Sequence, residues 1–323
     1  MRELFRKTFR QFLYNLHLFV GRPQNAIKTQ GSAEPTVSEA YWSMHTIHSK
    51  PFITANESLH YLEERFKEYP LYRELMDVWG KHDGELILDY GCGPGNDLVG
   101  FLAYSGAQKV RGIDVSKKAL ELASQRLWLH RFDPSRFELI KTSDALPEIT
   151  LGDSSVDYIY SQGVLHHTSY PGAILKEFYR ILKPNKSACI MVYNRESIWL
   201  HLYTAYDQMI LKNAFPGISL EEAFARNTDG VDCPIARCYS AGEFIDLCQK
   251  AGFQAEYAGG YLSMEELSFL KSLRDQAIGD ERLNQVHGDF LRDLEYDEHG
   301  YPLYHGKYAG VGGVYHLDKP VYR

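Results

Sequence analysis

The chain has 323 residues but only five cysteines, Cys92, Cys189, Cys233, Cys238 and Cys248, scattered and with no C-x-x-C pair. That spacing indicates neither a disulfide framework nor a zinc site, so no metal is expected, and a reducing cytoplasm is the simplest setting. No apolar run approaches the roughly 18 residues of a spanning helix. The opening stretch, MRELFRKTFRQFLYNLHLFVG, is broken by charges and lacks a small-residue cleavage site, which makes it a poor secretory signal. Positive charge is also scarce over most of the chain. The net charge is −7. Residues 1–30 hold Arg2, Arg6, Lys7, Arg10, Arg22 and Lys28 against Glu3 alone, a net +5, which leaves −12 on the rest. An acidic body argues against broad phosphate-backbone binding, so no nucleic-acid substrate is expected.

Hydrophobic residues make up 44% of the chain, enough for one large domain or a core with a cap. In residues 3–20, Phe5, Phe9, Phe12, Leu13, Leu16 and Val20 fall on one arc at helical spacing, with Arg6, Lys7 and Arg10 beside it. Residues 21–39 carry two prolines among small and polar residues and suggest a linker. Residues 57–82 predict a helix, a proline break and a second helix, part of a helical lid over 41–84. From there strands and helices alternate. Strands are expected at 85–90, 108–116, 137–144, 155–165 and 187–194, with helices at 117–132 and 171–184. A later helix, strand and last strand follow at 240–253, 253–262 and 310–320. Such alternation predicts an α/β fold, a mostly parallel sheet wound on both faces, with ligands at the carboxyl ends of its strands. Residues 195–239 and 263–309 interrupt the pattern, are too long for simple connections and are rich in aromatics.

The most informative stretch is ELILDYGCGPGNDLVGF, residues 85–101: a strand, a glycine turn and the start of a helix. A dinucleotide fingerprint needs a glycine three places after the second one. Here the second is Gly93 and that place holds Asn96, so the pattern is Gly91-x-Gly93-x-Gly95. Asp114 closes the second strand, placed to accept from ribose hydroxyls. Asp144 closes the third, placed near an adenine edge. Glycines let the turn approach a ligand, and the following helix points its N-terminus at it.

LDYGCGPGNDL, GIDVS, SDALP, GVLHHT and RILKPNKSACIMV together resemble the successive motifs of class I S-adenosylmethionine-dependent methyltransferases, in particular the small-molecule, ubiquinone-biosynthesis-like group. The resemblance covers residues 85–194 firmly and 240–320 loosely. It implies a seven-stranded sheet of order 3-2-1-4-5-7-6 with an antiparallel last strand, S-adenosyl-L-methionine as cofactor, and methyl transfer to a small-molecule acceptor such as a sugar, a carboxylate or a natural-product hydroxyl. It also implies that Gly91, Gly93 and Gly95 pass under the methionine moiety, with Asp89 the acidic position of the first motif. Asp114 would bind the ribose, Asp144 and Ala145 would flank the adenine, and Gln162 and Gly163 would line the methyl-transfer face. Lys186 stands where many relatives carry glycine, in a turn remote from that chemistry.

Several residues admit two readings. His166 and His167 begin the loop after the fourth strand, where either could act as a general base or merely orient the substrate. His45 and His48 lack a third ligand type, so they do not suggest a metal. Tyr41 and Trp42 fit a lid over the cofactor or simple packing. The 23 tyrosines include Tyr193, Tyr203 and Tyr206, which suit an acceptor pocket built by the two interruptions or an ordinary aromatic cap core. Functional alternatives are a nicotinamide-dependent oxidoreductase, against which Asn96 speaks, and a non-catalytic cofactor-binding partner protein. An N-P-P-Y-type motif is absent after the fourth strand, where SQGVL stands, which disfavours amino methylation of nucleic acid. Residues 3–20 suit docking on the core, a homodimer contact or a membrane surface, which would make the protein peripheral to a membrane.

Overall fold

The computed structural model describes residues 27–29, 36–47 and 50–321. Its strands are β1 (Ile27–Thr29), β2 (Leu86–Tyr90), β3 (Lys109–Asp114), β4 (Phe137–Lys141), β5 (Val156–Gln162), β6 (Leu182–Asn194), β7 (Cys238–Tyr239), β8 (Gln254–Tyr261), β9 (Glu295–Tyr296), β10 (Pro302–Tyr304), β11 (Lys307–Tyr308) and β12 (Gly312–Asp318). The helices are α1 (Val37–Met44), α2 (Ala55–Glu68), α3 (Tyr72–Leu75), α4 (Asn96–Tyr104), α5 (Lys117–Leu129), α6 (Pro171–Ile181), α7 (Leu220–Asp229), α8 (Ala241–Ala251), α9 (Met264–Gly279) and α10 (Gln285–Arg292), with a π-helix at Trp199–Leu211.

The main sheet runs β1-β4-β3-β2-β5-β6-β12-β8, with β7 beside β6. Without the short β1 and β7 this is the expected order 3-2-1-4-5-7-6. β12 lies antiparallel to both β6 and β8, and the pairs from β4 to β6 are parallel. β2 shows why the sheet is covered on both faces. Its residues alternate sides, so Ile87 enters a core with Leu62, Leu98, Phe101, Leu120 and Leu127, whereas Leu88 enters another with Ile174, Phe178, Phe244 and Phe253. α2, α4 and α5 therefore cover one face, and α6 and α8 the other. Burying each such side chain contributes roughly 1.5–3 kcal/mol.

Two expectations change. Part of the 21–39 linker is ordered structure: Ile27 and Thr29 pair in parallel register with Leu139 and Lys141, and α1 begins at Val37, capped by the Thr36 hydroxyl. Elements of three and eight residues are too short to announce themselves by periodicity. The 57–82 helices belong to the core rather than to a lid, because Leu62, Tyr72, Met76 and Trp79 are buried against the sheet. Among the described residues of the 41–84 lid region and its approach, α1 and the following His45, Thr46 and Ile47 cover the strand ends. The amphipathic stretch 3–20 lies outside the described residues.

The two interruptions leave from the carboxyl ends of β6 and β8 and pack on each other. Ile198, Leu202 and Tyr206 share an apolar cluster with Leu270, Phe290 and Leu291. Among the described residues no helix is long and apolar enough to cross a membrane.

Candidate functional site

The glycine turn bends because three residues adopt left-handed backbone, with φ of 77° at Gly91, 52° at Gly93 and 81° at Gly95. Gly91 has no room for a side chain, since a Cβ there would stand 2.2 Å from Val164 Cγ2. Gly93 differs: a Cβ there would meet nothing within 4 Å. Its face is open because it borders a cavity, which Gly91, Pro94, Ile113 and Val115 also line. The turn is pinned to β3. The Gly91 and Cys92 N–H groups donate to the Ile113 carbonyl at 2.7 and 3.0 Å. The Asp114 carboxylate accepts from Gly93 N–H at 2.8 Å and from Ser116 N–H at 2.7 Å.

The cavity lies at the carboxyl ends of β2, β3, β4 and β5. Asp114, Asp144, Gln162, Gly163 and His167 all line it, with Trp42, His45, Thr46 and Ile47 on the lid side. Gln162 is fixed from behind, donating to Tyr261 Oη at 3.2 Å and accepting from Tyr72 Oη at 3.3 Å. Asp144 is committed to structure as well: its carboxylate accepts from Ser169 N–H at 3.0 Å and Ser169 Oγ at 2.6 Å. Ala145 lies beside it in a shallow depression with Tyr170 and Pro234, outside the main cavity.

Asp89 is buried below the turn rather than lining the cavity, and its Oδ2 has no hydrogen-bond partner. Burial, reinforced by Asp97 and Asp114, holds its pKa well above the usual carboxylate range. Gly95 caps α4 and packs against Ala123, also away from the cavity.

The two histidines separate cleanly. His166 is fully buried, lies tilted against Tyr193 with ring centroids 3.8 Å apart, and has no hydrogen-bond partner on either ring nitrogen. Burial drives its pKa well below the ordinary value, so it is neutral. His167 faces the cavity. Its Nδ1 lies 2.7 Å from the Ile235 carbonyl, which assigns the proton of the neutral ring to Nδ1 and leaves the Nε2 lone pair free. Nε2 stands 3.6 Å from Asp229 Oδ1. That oxygen accepts from Tyr193 Oη at 2.8 Å, while Asp229 Oδ2 has no partner. Burial raises the Asp229 pKa and lowers that of His167. Cys233 completes the group: ligand atoms of His167, Asp229 and Cys233 all lie within 4.8 Å of one another.

Of the lid pair, Trp42 lines the cavity with its ring centroid 4.7 Å from that of His167. Tyr41 is buried behind it and donates to the Asp229 carbonyl. The lid is locked by Glu39, whose buried carboxylate accepts from Ser143 Oγ, from Asp144 N–H at 3.3 Å and from Lys141 Nζ at 3.3 Å.

The acceptor-pocket assignment needs correcting. Tyr193 sits behind His167 rather than in the cavity. Tyr203 packs between Trp199 and Phe269 at centroid distances of 4.2 and 4.7 Å. Tyr206 is fully buried and donates to Asp280 at 3.2 Å. No described residue of 195–239 or 263–309 lines the cavity, because the interruptions turn their apolar faces onto each other. Sequence reasoning also missed Glu39, Asp229 and Cys233. The acid and glycine of Asp229-Gly230 look like an ordinary helix end, and spacing does not connect them to His167.

Residues 81–256, more than half of the chain, match the family model described as Methyltransferase domain. A ubiquinone biosynthesis O-methyltransferase of Neisseria meningitidis is 28% identical over 142 residues, 44% of this chain and 58% of that protein. The chain therefore spans little more than half the length of that relative. A probable methyltransferase of Aspergillus luteorubrus is 28% identical over 215 residues, 64% of this chain and 71% of that protein. The fold is similar to a structure from the complex of the Haloferax volcanii Trm112 methyltransferase activator with a methyltransferase, at TM-score 0.52 and 12% identity, covering 88% of this chain and 99% of that one. It is also similar to Haemonchus contortus phosphoethanolamine N-methyltransferase 2, solved with phosphomonomethylethanolamine and S-adenosylhomocysteine, at TM-score 0.51 and 16% identity, covering 89% of this chain and 61% of that one. The chain belongs to the class I S-adenosylmethionine-dependent methyltransferase family.

Proposed function

We propose that the protein transfers the methyl group of S-adenosylmethionine to a small-molecule acceptor. The observation that carries this is the open face of Gly93 beside the Asp114 carboxylate, a glycine cradle and an acid at the ends of adjacent strands bordering one cavity. Those residues fit a nucleoside bearing a flexible polar tail: the turn admits close backbone approach, and Asp114 offers a charged acceptor to ribose hydroxyls. When bound, the cofactor supplies an electrophilic methyl on a sulfonium.

The chain supplies alignment and exclusion of water. Trp42, Ile47 and Val164 give the cavity apolar and aromatic walls, and Gln162 is held rigid beside them by Tyr72 and Tyr261. His167 lines the same cavity with its Nε2 turned toward Asp229. The proposed acceptor presents a hydroxyl or carboxylate oxygen, and the acidic body disfavours a polyanion.

The oxidoreductase reading loses support from Asn96, whose side chain is taken up by Arg126 rather than replaced by the glycine a dinucleotide turn needs. Calorimetric titration with S-adenosylhomocysteine and with NADH separates the two. Binding of NADH without S-adenosylhomocysteine would overturn the proposal. For residues 3–20, docking on this chain or on a second copy is the proposed role. Light scattering on a chain starting at Ala26, which keeps β1 and α1, tests the dimer, and liposome co-sedimentation tests a membrane contact.

A further inference from the structure

We propose that His167 Nε2, Asp229 and Cys233 Sγ form a binding site for a Zn2+ ion at the edge of the cofactor cavity. Three elements bring these ligands together: the turn after β5, the end of α7 and the loop that follows it. No short sequence spacing announces the site.

His167 and Asp229 are spaced as ligands sharing an ion rather than a hydrogen bond, and the Cys233 ligand atom lies within 4.8 Å of both. His167 Nε2 and Asp229 Oδ1 are 3.6 Å apart, beyond hydrogen-bond reach. Two atoms each bound to a tetrahedral zinc at about 2.0–2.2 Å stand roughly 3.3–3.6 Å apart. With its proton on Nδ1, His167 turns a lone pair toward a carboxylate, so two electron-rich atoms face each other. The Asp229 side chain is only 10% exposed and its Oδ2 has no hydrogen-bond partner. Burying such an atom is costly unless a cation or donor meets it.

The surroundings hold the ligands as a metal site requires. The Ile235 carbonyl takes the His167 Nδ1 proton at 2.7 Å, fixing the coordinating tautomer. Tyr193 donates to Asp229 Oδ1 at 2.8 Å and Tyr41 to the Asp229 carbonyl. Cys233 is the one cysteine of the five that is not buried, which provides an entry path. Its thiol now lies 3.4 Å from the Ile235 carbonyl. On binding, the thiol proton leaves to solvent and the thiolate turns to the ion. A nitrogen, oxygen and sulfur set selects zinc over magnesium or calcium.

Three protein ligands leave a fourth position, and His167 lines the cavity. A hydroxyl of the methyl acceptor is the class that fits there. That assignment rests on the methyltransferase reading, but the ion site does not.

The test uses the full chain, stripped with chelator and titrated with Zn2+. One zinc per chain should survive gel filtration. Bound zinc should slow iodoacetamide alkylation of Cys233, located by mass spectrometry. Co2+ in its place should give a thiolate charge-transfer band that Cys233→Ser abolishes. Cys233→Ser and Asp229→Asn should each weaken zinc more than about tenfold. Cys233→Ser exchanges a single atom at a half-buried position, and its melting curve checks folding. Absence of stoichiometric zinc, undiminished alkylation, or an affinity indifferent to both substitutions would overturn the site. S-adenosylhomocysteine affinity is measured separately on the same stripped protein. Its loss would strike the methyltransferase reading alone.

Discussion

One carboxylate oxygen of Asp114 accepts the Gly93 N–H at 2.8 Å, and the other accepts the Ser116 N–H at 2.7 Å. The residue proposed to hold the ribose is thus also the residue that holds the glycine turn in shape. Burial pulls its pKa up against the pull of those backbone donors, so the carboxylate is poised to gain from two further hydroxyl donors. Asp114→Ala should weaken S-adenosylhomocysteine binding at least tenfold, because a charged acceptor is worth about 1.5–3 kcal/mol. Asp114→Asn, which keeps one acceptor, should fall between. Calorimetric affinities equal to wild type in both variants would remove Asp114 from the site.

The glycines of the turn should fail in different ways. At Gly91 an added Cβ would strike Val164 at 2.2 Å on top of an unfavourable φ of 77°, so Gly91→Ala should lower both thermal stability and cofactor affinity. At Gly93 the space is open and only the left-handed backbone opposes substitution, at a cost of roughly 1–2 kcal/mol. Gly93→Ala should therefore fold, with a small drop in melting temperature, yet bind S-adenosylhomocysteine poorly because its methyl enters the cavity. A Gly93→Ala protein with unchanged affinity would mean that the ligand does not approach the turn.

How much of this was legible in the sequence follows from the range of the interactions. The turn, Asp114 and the strands themselves are written locally: Gly91, Gly93 and Gly95 sit within five residues, and each strand carries its own apolar pattern, whereas the order of the strands is what the family resemblance implies. β1 was hidden because three residues show no period. Tyr203 and Tyr206 have the composition of pocket residues, but composition does not say which way a side chain faces. Tyr206 spends its hydroxyl on Asp280 inside the cap. Asp229 and Cys233 reach His167 only through the tertiary fold, and no local pattern marks that approach.

Glu39 offers a test of the lid. It is buried to 3% exposure, and from the first turn of α1 it grips the end of β4 through Lys141 and the loop after it through Ser143 and Asp144. This grip holds α1 over the cavity without reaching into the two apolar cores, so Glu39→Ala should loosen the lid more than the core. Stopped-flow release of S-adenosylhomocysteine should accelerate several-fold while the melting temperature falls by only a few degrees. A release rate like that of the wild type would show that α1 does not gate the cavity.

Glu266 gives the last prediction, a dependence of stability on pH. Its side chain is completely buried, and burial raises its pKa to about 7. The carboxylate accepts from Ser263 N–H at 2.8 Å, from Ser263 Oγ at 3.1 Å and from Trp199 N–H at 3.2 Å, and the Val311 backbone also bonds to it. One side chain thus ties α9 to the start of the π-helix and to the approach of β12. The folded pKa lies above the unfolded value of about 4.3. Its contribution is therefore fully present below that value and is lost as pH rises through about 7. Glutamine has the shape of the protonated acid and does not titrate. The stability of the wild type relative to Glu266→Gln should fall by up to about 3 kcal/mol between pH 5 and pH 8, since a tenfold change in a proton-binding constant corresponds to about 1.4 kcal/mol. Denaturant unfolding of both proteins at matched pH values measures this difference, and groups common to both cancel in it. A difference that stays flat across that window would mean that Glu266 remains ionised in the folded protein, with its four donors sufficient to offset burial.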